Sequence, residues 1–211
     1  DIMPQFDDPR IFQVSWERVT EGLTFFSLGL AKKVLLADNI GSYAGDVFDA
    51  ARTDVVSFFE AWQGGVCYAL QLYFDFSGYS DMAIGAALFF GIRMPINFSS
   101  PYQSLNIIEF WKSWHMTLSR FLRDYLYIPL GGNRVGIVRW CGNIAIVMLL
   151  GGLWHGAGWT FVVWGGLHGA YLLINHAWRS VVPPNTQTRF VKGIYWTMTF
   201  SCVVFAWVFF R

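Results

Sequence analysis

The chain has 211 residues, of which 55% are hydrophobic, 19% aromatic and only 14% charged, and its formal net charge at pH 7 is +1. Because soluble domains carry about 25% charged residues, this composition indicates a membrane protein, and the balanced charge argues against nucleic acid as a partner. Cys67, Cys141 and Cys202 stand far apart in apolar runs. That spacing predicts small buried side chains rather than a disulfide or a metal site.

The N-terminal third alternates polar and apolar segments. Residues 1–20 are polar and predict a juxtamembrane loop or a surface helix. Residues 22–40 are apolar apart from Lys32 and Lys33, and they predict a membrane span in which both lysines face a cavity or extend to the headgroup layer.

A second span is predicted at residues 58–74, where Gly64 and Gly65 allow another helix to approach closely. Residues 82–90 are too short to cross a bilayer alone. Together with the polar stretch at residues 75–81, they predict a broken or polar-lined crossing that is tolerated only inside a bundle. Asp75 and Asp81 in this stretch favour a structural interpretation, with local hydrogen bonds capping the broken helix.

An amphipathic helix is predicted after a loop at residues 96–105. Asn106 followed by Glu109 resembles a capping box, with Asn in place of the usual Ser or Thr. Apolar residues then recur at helical spacing as far as Tyr125, and the helix must end by Pro129. Its other face is basic, which indicates a helix along the interface or in a cavity wall.

The C-terminal part contains the longest uncharged run. Residues 140–178 include no Asp, Glu, Lys or Arg. Since about 20 apolar residues cross the hydrocarbon, the run predicts two crossings, at residues 140–157 and 159–178. Residues 181–189 predict a polar loop, and residues 193–210 predict a last span.

Basic residues flank this hairpin on both sides. By the positive-inside rule both flanks are cytoplasmic. A narrower cluster could also bind a phosphorylated donor such as coenzyme A, and it consists of Lys112, Arg120, Arg123, Arg134 and Arg139. The basic residues are Arg120, Arg123, Arg134 and Arg139 before the hairpin, and Arg179, Arg189 and Lys192 after it.

Two similar motifs place a histidine inside the uncharged run. His155 precedes the second glycine of Gly152–Gly156, and His168 precedes the second glycine of Gly165–Gly169. One interpretation is helix packing through small residues, with each histidine bonded to a carbonyl. The other is function, because an ionisable group inside a membrane is costly unless it has a role. His168 favours a structural role, and His176 favours an interfacial position.

Six stretches form an ordered set along the chain: residues 32–38, 71–85, 94–102, 109–119, 123–132 and 152–157. Together they resemble the membrane-bound O-acyltransferase family, in particular its alginate O-acetyltransferase branch. The similarity covers about residues 20–178. Lys112 and Ser113 depart from it, since two arginines are frequent there, and so does Gly151, where threonine is common.

The resemblance implies an all-α, polytopic transmembrane bundle with broken or re-entrant helices and an amphipathic interfacial helix. Residues 1–211 are then the central part of one domain whose flanking transmembrane helices are missing at both ends. The expected location is the bacterial inner membrane, with multiple passes through the lipid.

It also implies a catalytic core at His155 and His115. Attack of a hydroxyl on a thioester needs a base with a pKa near the working pH, which neutral imidazole provides. We expect His155 to be that base and His115 to orient the reacting groups. The further substrate-binding candidates are Asn106, Trp111, Ser119 and Trp154, although indoles more often serve packing.

The expected reaction moves an acetyl group from a cytoplasmic thioester, acetyl-coenzyme A or another donor, toward an exported polysaccharide such as alginate. An extracytoplasmic acetyltransferase- or esterase-like partner would complete the transfer, and neither a bound cofactor nor a metal is expected. Peptidoglycan or teichoic-acid acylation is the alternative within the same chemistry. The alternatives from other classes are a transporter and an electron carrier with haem bound by His155 and His168.

Overall fold

The computed structural model describes residues 2–8, 13–182 and 188–211, and its regular elements in these ranges are all helical. The predicted all-α class is therefore confirmed. Parts of the polar segments predicted at the N-terminus and after the hairpin, residues 9–12 and 183–187, lie outside the described residues. The chain divides into two compact units, Asp1–Asn97 and Phe98–Arg211.

In the first unit, a short 3-10 helix at Met3–Asp7 precedes a long helical path. Helix α1 (Trp16–Ala31) begins where the Ser15 side chain accepts a hydrogen bond from the Arg18 backbone N–H. It continues through a π-helical turn at Lys32–Ala37 into α2 (Asp38–Thr53). The span predicted at residues 22–40 is thus the middle of a longer helical path.

Helix α3 (Phe58–Phe89) is continuous, so of the two predicted alternatives, a broken or a polar-lined crossing, the break at residues 75–81 is wrong. Lys32 Nζ lies 2.6 Å from Asp81 Oδ2, and Lys33 Nζ lies 2.7 Å from Asp75 Oδ1. Because lysines of the neighbouring π turn neutralise both carboxylates, the helix has no need to open around them. The same contacts show that the two lysines pair with acids of this unit.

Glycines set the spacing of α3 from its neighbours. A Cβ on Gly29 of α1 would lie 2.5 Å from the Gly78 carbonyl oxygen, and one on Gly22 would lie 2.8 Å from that of Gly85. Gly64, which was predicted to allow close approach, faces Val47 of α2. A Cβ on Gly64 would lie 2.6 Å from Val47 Cγ1.

The second unit begins with a divided helix instead of the single amphipathic one predicted for residues 106–125. Helix α4 (Ile107–Ser113) and α5 (Met116–Leu122) are separated by two non-helical residues, and a π-helical turn follows at Arg123–Tyr127. The Asn106 cap is confirmed, since its Oδ1 accepts a hydrogen bond from Glu109 N at 3.0 Å.

The division occurs at Trp114 and His115. Trp114 is extended (φ −100°, ψ 127°), and His115 is left-handed (φ 43°, ψ 57°). The Ser113 carbonyl accepts a hydrogen bond from Ser99 N at 3.0 Å. Hydrophobic periodicity continues across this point, so the pattern alone does not reveal that the backbone turns.

The predicted hairpin and last span are confirmed as helices. Helix α6 (Ile137–His155) and α7 (Trp159–Val181) join through Gly156–Gly158, and α8 (Arg189–Phe210) follows. Among the described helices, α6 and α8 are both long and apolar enough to cross a membrane, by length and composition. The three cysteines are free thiols and only half-buried, so the prediction that they are buried side chains is wrong.

Candidate active site

His115 lies at the junction of α4 and α5 in a left-handed backbone conformation, which is uncommon for residues other than glycine. Its imidazole is half-buried beside Phe98, with ring centroids 6.4 Å apart. The Nδ1 atom lies 3.4 Å from the Thr117 hydroxyl. The break between the two helices therefore presents this imidazole from a turn and not from a helix face.

Burial lowers the pKa of the His115 imidazole from 6.5 to about 4, and electrostatic repulsion by His155 acts in the same direction. The ring is thus neutral at pH 7, with one ring nitrogen that donates a hydrogen bond and one that accepts. The repulsion also shows that the two histidines lie within electrostatic range of each other. That they form one catalytic site stays a prediction.

His155 is the last residue of α6, at the point where the chain turns through Gly156. Three aromatic rings contact its imidazole edge-on, from α6, α7 and α8. The ring centroids lie 4.9 Å away for Trp154, 5.3 Å for Trp164 and 5.0 Å for Phe210. The imidazole orientation is therefore fixed by aromatic packing.

A cavity of about 420 Å³ lies between α4, α5, α6 and α7. Cationic side chains of Lys112, Arg120 and Arg123 line one part of it, and apolar side chains of α5 to α7 line the rest. Trp111 and Ser119, two of the predicted substrate-binding residues, also line it, whereas His155 and His115 do not. The remaining lining residues are Ile108, Met116, Leu122, Tyr127, Ile144, Val147, Met148, Leu172 and His176.

The other two predicted substrate-binding residues lie elsewhere. Asn106 caps α4 and lines a second, more polar cavity of about 280 Å³ together with Glu109 and Arg179. Trp154 is 65% exposed and lies outside both cavities, although its ring contacts His155. His176, expected at the interface, lines the larger cavity and packs against Trp140 with ring centroids 5.0 Å apart.

Trp164 and Phe210 contact His155, and the sequence analysis did not identify them. Trp164 is 2% exposed. It stands four residues before His168 on α7, so the i, i+4 rule places both on one helix face and could have identified it. Its indole contacts both histidines, at 5.3 Å from His155 and 4.9 Å from His168. An indole therefore packs against each imidazole, an arrangement that does not favour the haem alternative.

Comparison with known proteins identifies relatives over the whole chain. The model of the membrane-bound O-acyltransferase family matches residues 1–209. The chain is 50% identical over 211 residues to a peptidoglycan O-acetyltransferase from Helicobacter pylori, covering 100% of the chain and 40% of that protein. It is 46% identical over 211 residues to a probable alginate O-acetylase from Pseudomonas aeruginosa, covering 100% of the chain and 39% of that protein.

A more distant relative is a teichoic acid D-alanyltransferase from Streptococcus thermophilus, 31% identical over 90% of the chain and 51% of that protein. The chain spans about two fifths of the length of the first two relatives.

Proposed function

The chain belongs to the membrane-bound O-acyltransferase family. We propose that the protein transfers an acyl group from a thioester donor to a hydroxyl group, and that this acyl group is acetyl. The observation that carries this proposal is the pair of histidines. His155 is held by aromatic rings at the end of α6, and a neutral His115 lies within its electrostatic range.

The proposed reaction uses His155 as general base. Its imidazole takes the proton of the acceptor hydroxyl while the hydroxyl oxygen attacks the thioester carbonyl carbon. The carbon–sulfur bond then breaks, and the proton passes from His155 to the departing sulfur. The products are an ester and a free thiol. His115, held in the turn between α4 and α5, orients the reacting groups through its hydrogen-bonding nitrogens.

The larger cavity is the proposed donor site. Its cations can pair with phosphate groups, and its apolar wall suits the long arm of a thioester such as acetyl-coenzyme A. Arg123 already bonds Asp124, with Nε 2.7 Å from Oδ1. The candidates for contact with the donor are the three cations that line this cavity, Lys112, Arg120 and Arg123.

A multi-pass location in the bacterial inner membrane is proposed from the apolar surface of the helices. On α6 and α8, the candidate spans, Val138 is 83% exposed and Phe190 is 78% exposed. Such side chains are better accommodated by lipid than by water. The basic segment before α6 then faces the cytoplasm.

Cysteine labelling tests this topology. An added Cβ at Gly136 has no neighbour within 4 Å, so a cysteine fits there. An impermeant reagent should label it only after cells are opened, and labelling of intact spheroplasts would reverse the orientation.

The proposed final acceptor is an exported polysaccharide, reached directly or through an extracytoplasmic acetyltransferase- or esterase-like partner. Alginate and peptidoglycan are the two leading candidates, because relatives named for each are similarly close to this chain. Mass spectrometry of surface glycans from cells with and without the full-length gene identifies both the acyl group and the acceptor. Identical glycan acylation in the two strains would reject the proposed function.

A further inference from the structure

The fully buried His168 is the least expected polar residue of the second unit. Its side chain is 0% exposed, and neither Nδ1 nor Nε2 has a hydrogen-bond partner among the described residues. In the same region, the indole nitrogens of Trp111, Trp164 and Trp207 are also buried, with no hydrogen-bond partner in the described part of the chain. All three indoles contact the His168 ring, with centroids at 5.1, 4.9 and 6.1 Å.

Packing alone does not explain why buried imidazole and indole rings, with their nitrogen atoms, stand here in place of phenyl rings. A buried polar atom that lacks a hydrogen bond destabilises the folded protein, whereas an apolar ring of similar shape at the same place does not. Phe110, which stacks on His168 with centroids 6.0 Å apart, shows that phenyl rings fit this cluster. The nitrogen atoms therefore point to a polar ligand.

The position of the cluster indicates which ligand it is. Trp111 lines the proposed donor cavity and contacts His168, while Trp164 contacts both His168 and His155. The chain of contacts runs from the cavity through Trp111, His168 and Trp164 to His155. An acyl group that moves from the cavity to the general base passes this cluster.

We propose that His168, together with the indole N–H groups of Trp111 and Trp164, binds the carbonyl oxygen of the thioester during acyl transfer. This inference rests on the proposed function and adds a catalytic residue to it. Imidazole and indole supply N–H donors, and a carbonyl oxygen is an acceptor. Trp111, which is half-buried at the cavity wall, is the ring that turns to admit the acyl arm.

The chemistry requires such donors. When the hydroxyl oxygen attacks the carbonyl carbon, the electron pair of the C=O double bond moves to the carbonyl oxygen, which becomes negative. Hydrogen bonds to that oxygen stabilise the transition state more than the ground state. When the double bond forms again, the sulfur leaves and takes the proton from His155. The role of His168 is thus distinct from proton transfer.

The test uses the full-length protein in inside-out membrane vesicles, with acetyl-coenzyme A carrying a labelled acetyl group as the probe. Wild type is compared with His168→Phe, which keeps a planar ring, and with His168→Gln, which keeps an N–H donor. We expect His168→Phe to accumulate and to resist heating as well as wild type. Its kcat should fall by about 10²-fold with KM within about threefold, and His168→Gln should recover about tenfold of that loss.

An unchanged kcat in His168→Phe would overturn the inference. The inference would also be overturned if both variants lost activity only in proportion to their loss of folded protein. His155→Ala separates this result from a failure of the proposed function. If wild-type vesicles transfer no acetyl, the proposed function fails and the inference with it. If His155→Ala is as active as wild type, acyl transfer stands, but the role of His155 fails, and so does the inference, because its path ends at His155. If His155→Ala is inactive and His168→Phe is fully active, only the inference fails.

Discussion

The His155 imidazole packs edge-on against the Trp164 indole, with ring centroids 5.3 Å apart and planes at 87°. This contact joins the last residue of α6 to the buried face of α7. Since Trp164 is 2% exposed, the indole is a fixed surface against which the imidazole is held. An imidazole held in this way could act as the proposed general base without reorganisation.

Removal of that imidazole is the most direct test of the mechanism. Because loss of a general base lowers rates by about 10² to 10⁴, His155→Ala should abolish detectable surface acylation. The protein should still accumulate in the membrane, since Gly152 remains in contact with α7. Leu153→Ala is the matched control, as Leu153 lies in the same helical turn and is 47% exposed. Near-normal acylation by His155→Ala at equal protein level would contradict the mechanism.

His115 combines a side-chain role with an unusual backbone conformation, and three substitutions separate the two. Glycine accepts the left-handed conformation without an imidazole, asparagine accepts it with hydrogen-bonding atoms, and alanine accepts it only at a cost of about 1 kcal/mol. We expect thermal stability to be lowest for His115→Ala. Activity should be highest for His115→Asn and low for both His115→Gly and His115→Ala.

That order is measured as acylation per folded molecule. If His115→Gly were as active as His115→Asn, the backbone turn rather than the imidazole would be what the site needs. Total loss in all three variants would assign the base to His115 itself.

The low pKa of His115 also predicts a dependence of stability on pH. An unfolded chain binds a proton at histidine below about pH 6.5, whereas the folded site keeps the ring neutral down to about pH 4. Protons are thus taken up on unfolding in this window, so stability falls as the pH is lowered through it. We expect the melting temperature, measured in detergent at about pH 7 and pH 5, to fall less between these two pH values for His115→Asn than for wild type. Equal losses would place the proton uptake elsewhere.

Adjacent glycines on α7 should respond differently to one added methyl group. A Cβ on Gly165 would collide with the Met148 carbonyl oxygen of α6, which is backbone and cannot yield. A Cβ on Gly166 meets only Leu149 Cδ2, at 3.8 Å. Gly165→Ala should destabilise the protein by about 1–3 kcal/mol, and Gly166→Ala should be neutral or mildly stabilising. The stability of each variant is measured as the fraction of protein that remains monodisperse after heating. Equal stability of the two variants would contradict the close contact between α6 and α7 at Gly165.

The sequence predicted those features of the fold that depend on local pattern. The uncharged run at residues 140–178 predicted α6 and α7, and Asn106 with Glu109 predicted the start of α4. A long apolar run and a capping residue are readable in one segment, without knowledge of its neighbours.

Features that depend on distant partners were not predictable. Asp75 and Asp81 left a broken and a polar-lined helix equally open, because nothing in their own segment shows that Lys33 and Lys32 neutralise them. The turn at His115 interrupts a regular hydrophobic pattern, so periodicity missed it. In the candidate site, the two histidines were identified from motifs, but their aromatic neighbours come from three different helices.

The π-helical turn at Lys32–Ala37 makes this segment sensitive to the deletion of a single residue. A π turn is wider than an α turn and holds an extra residue, so two consecutive lysines can point toward the same neighbouring helix. Loss of one residue there would restore ordinary α-helical winding and rotate one lysine away from its carboxylate. Homologous chains should therefore tolerate changes of residue type in most of this turn more readily than a deletion of one residue.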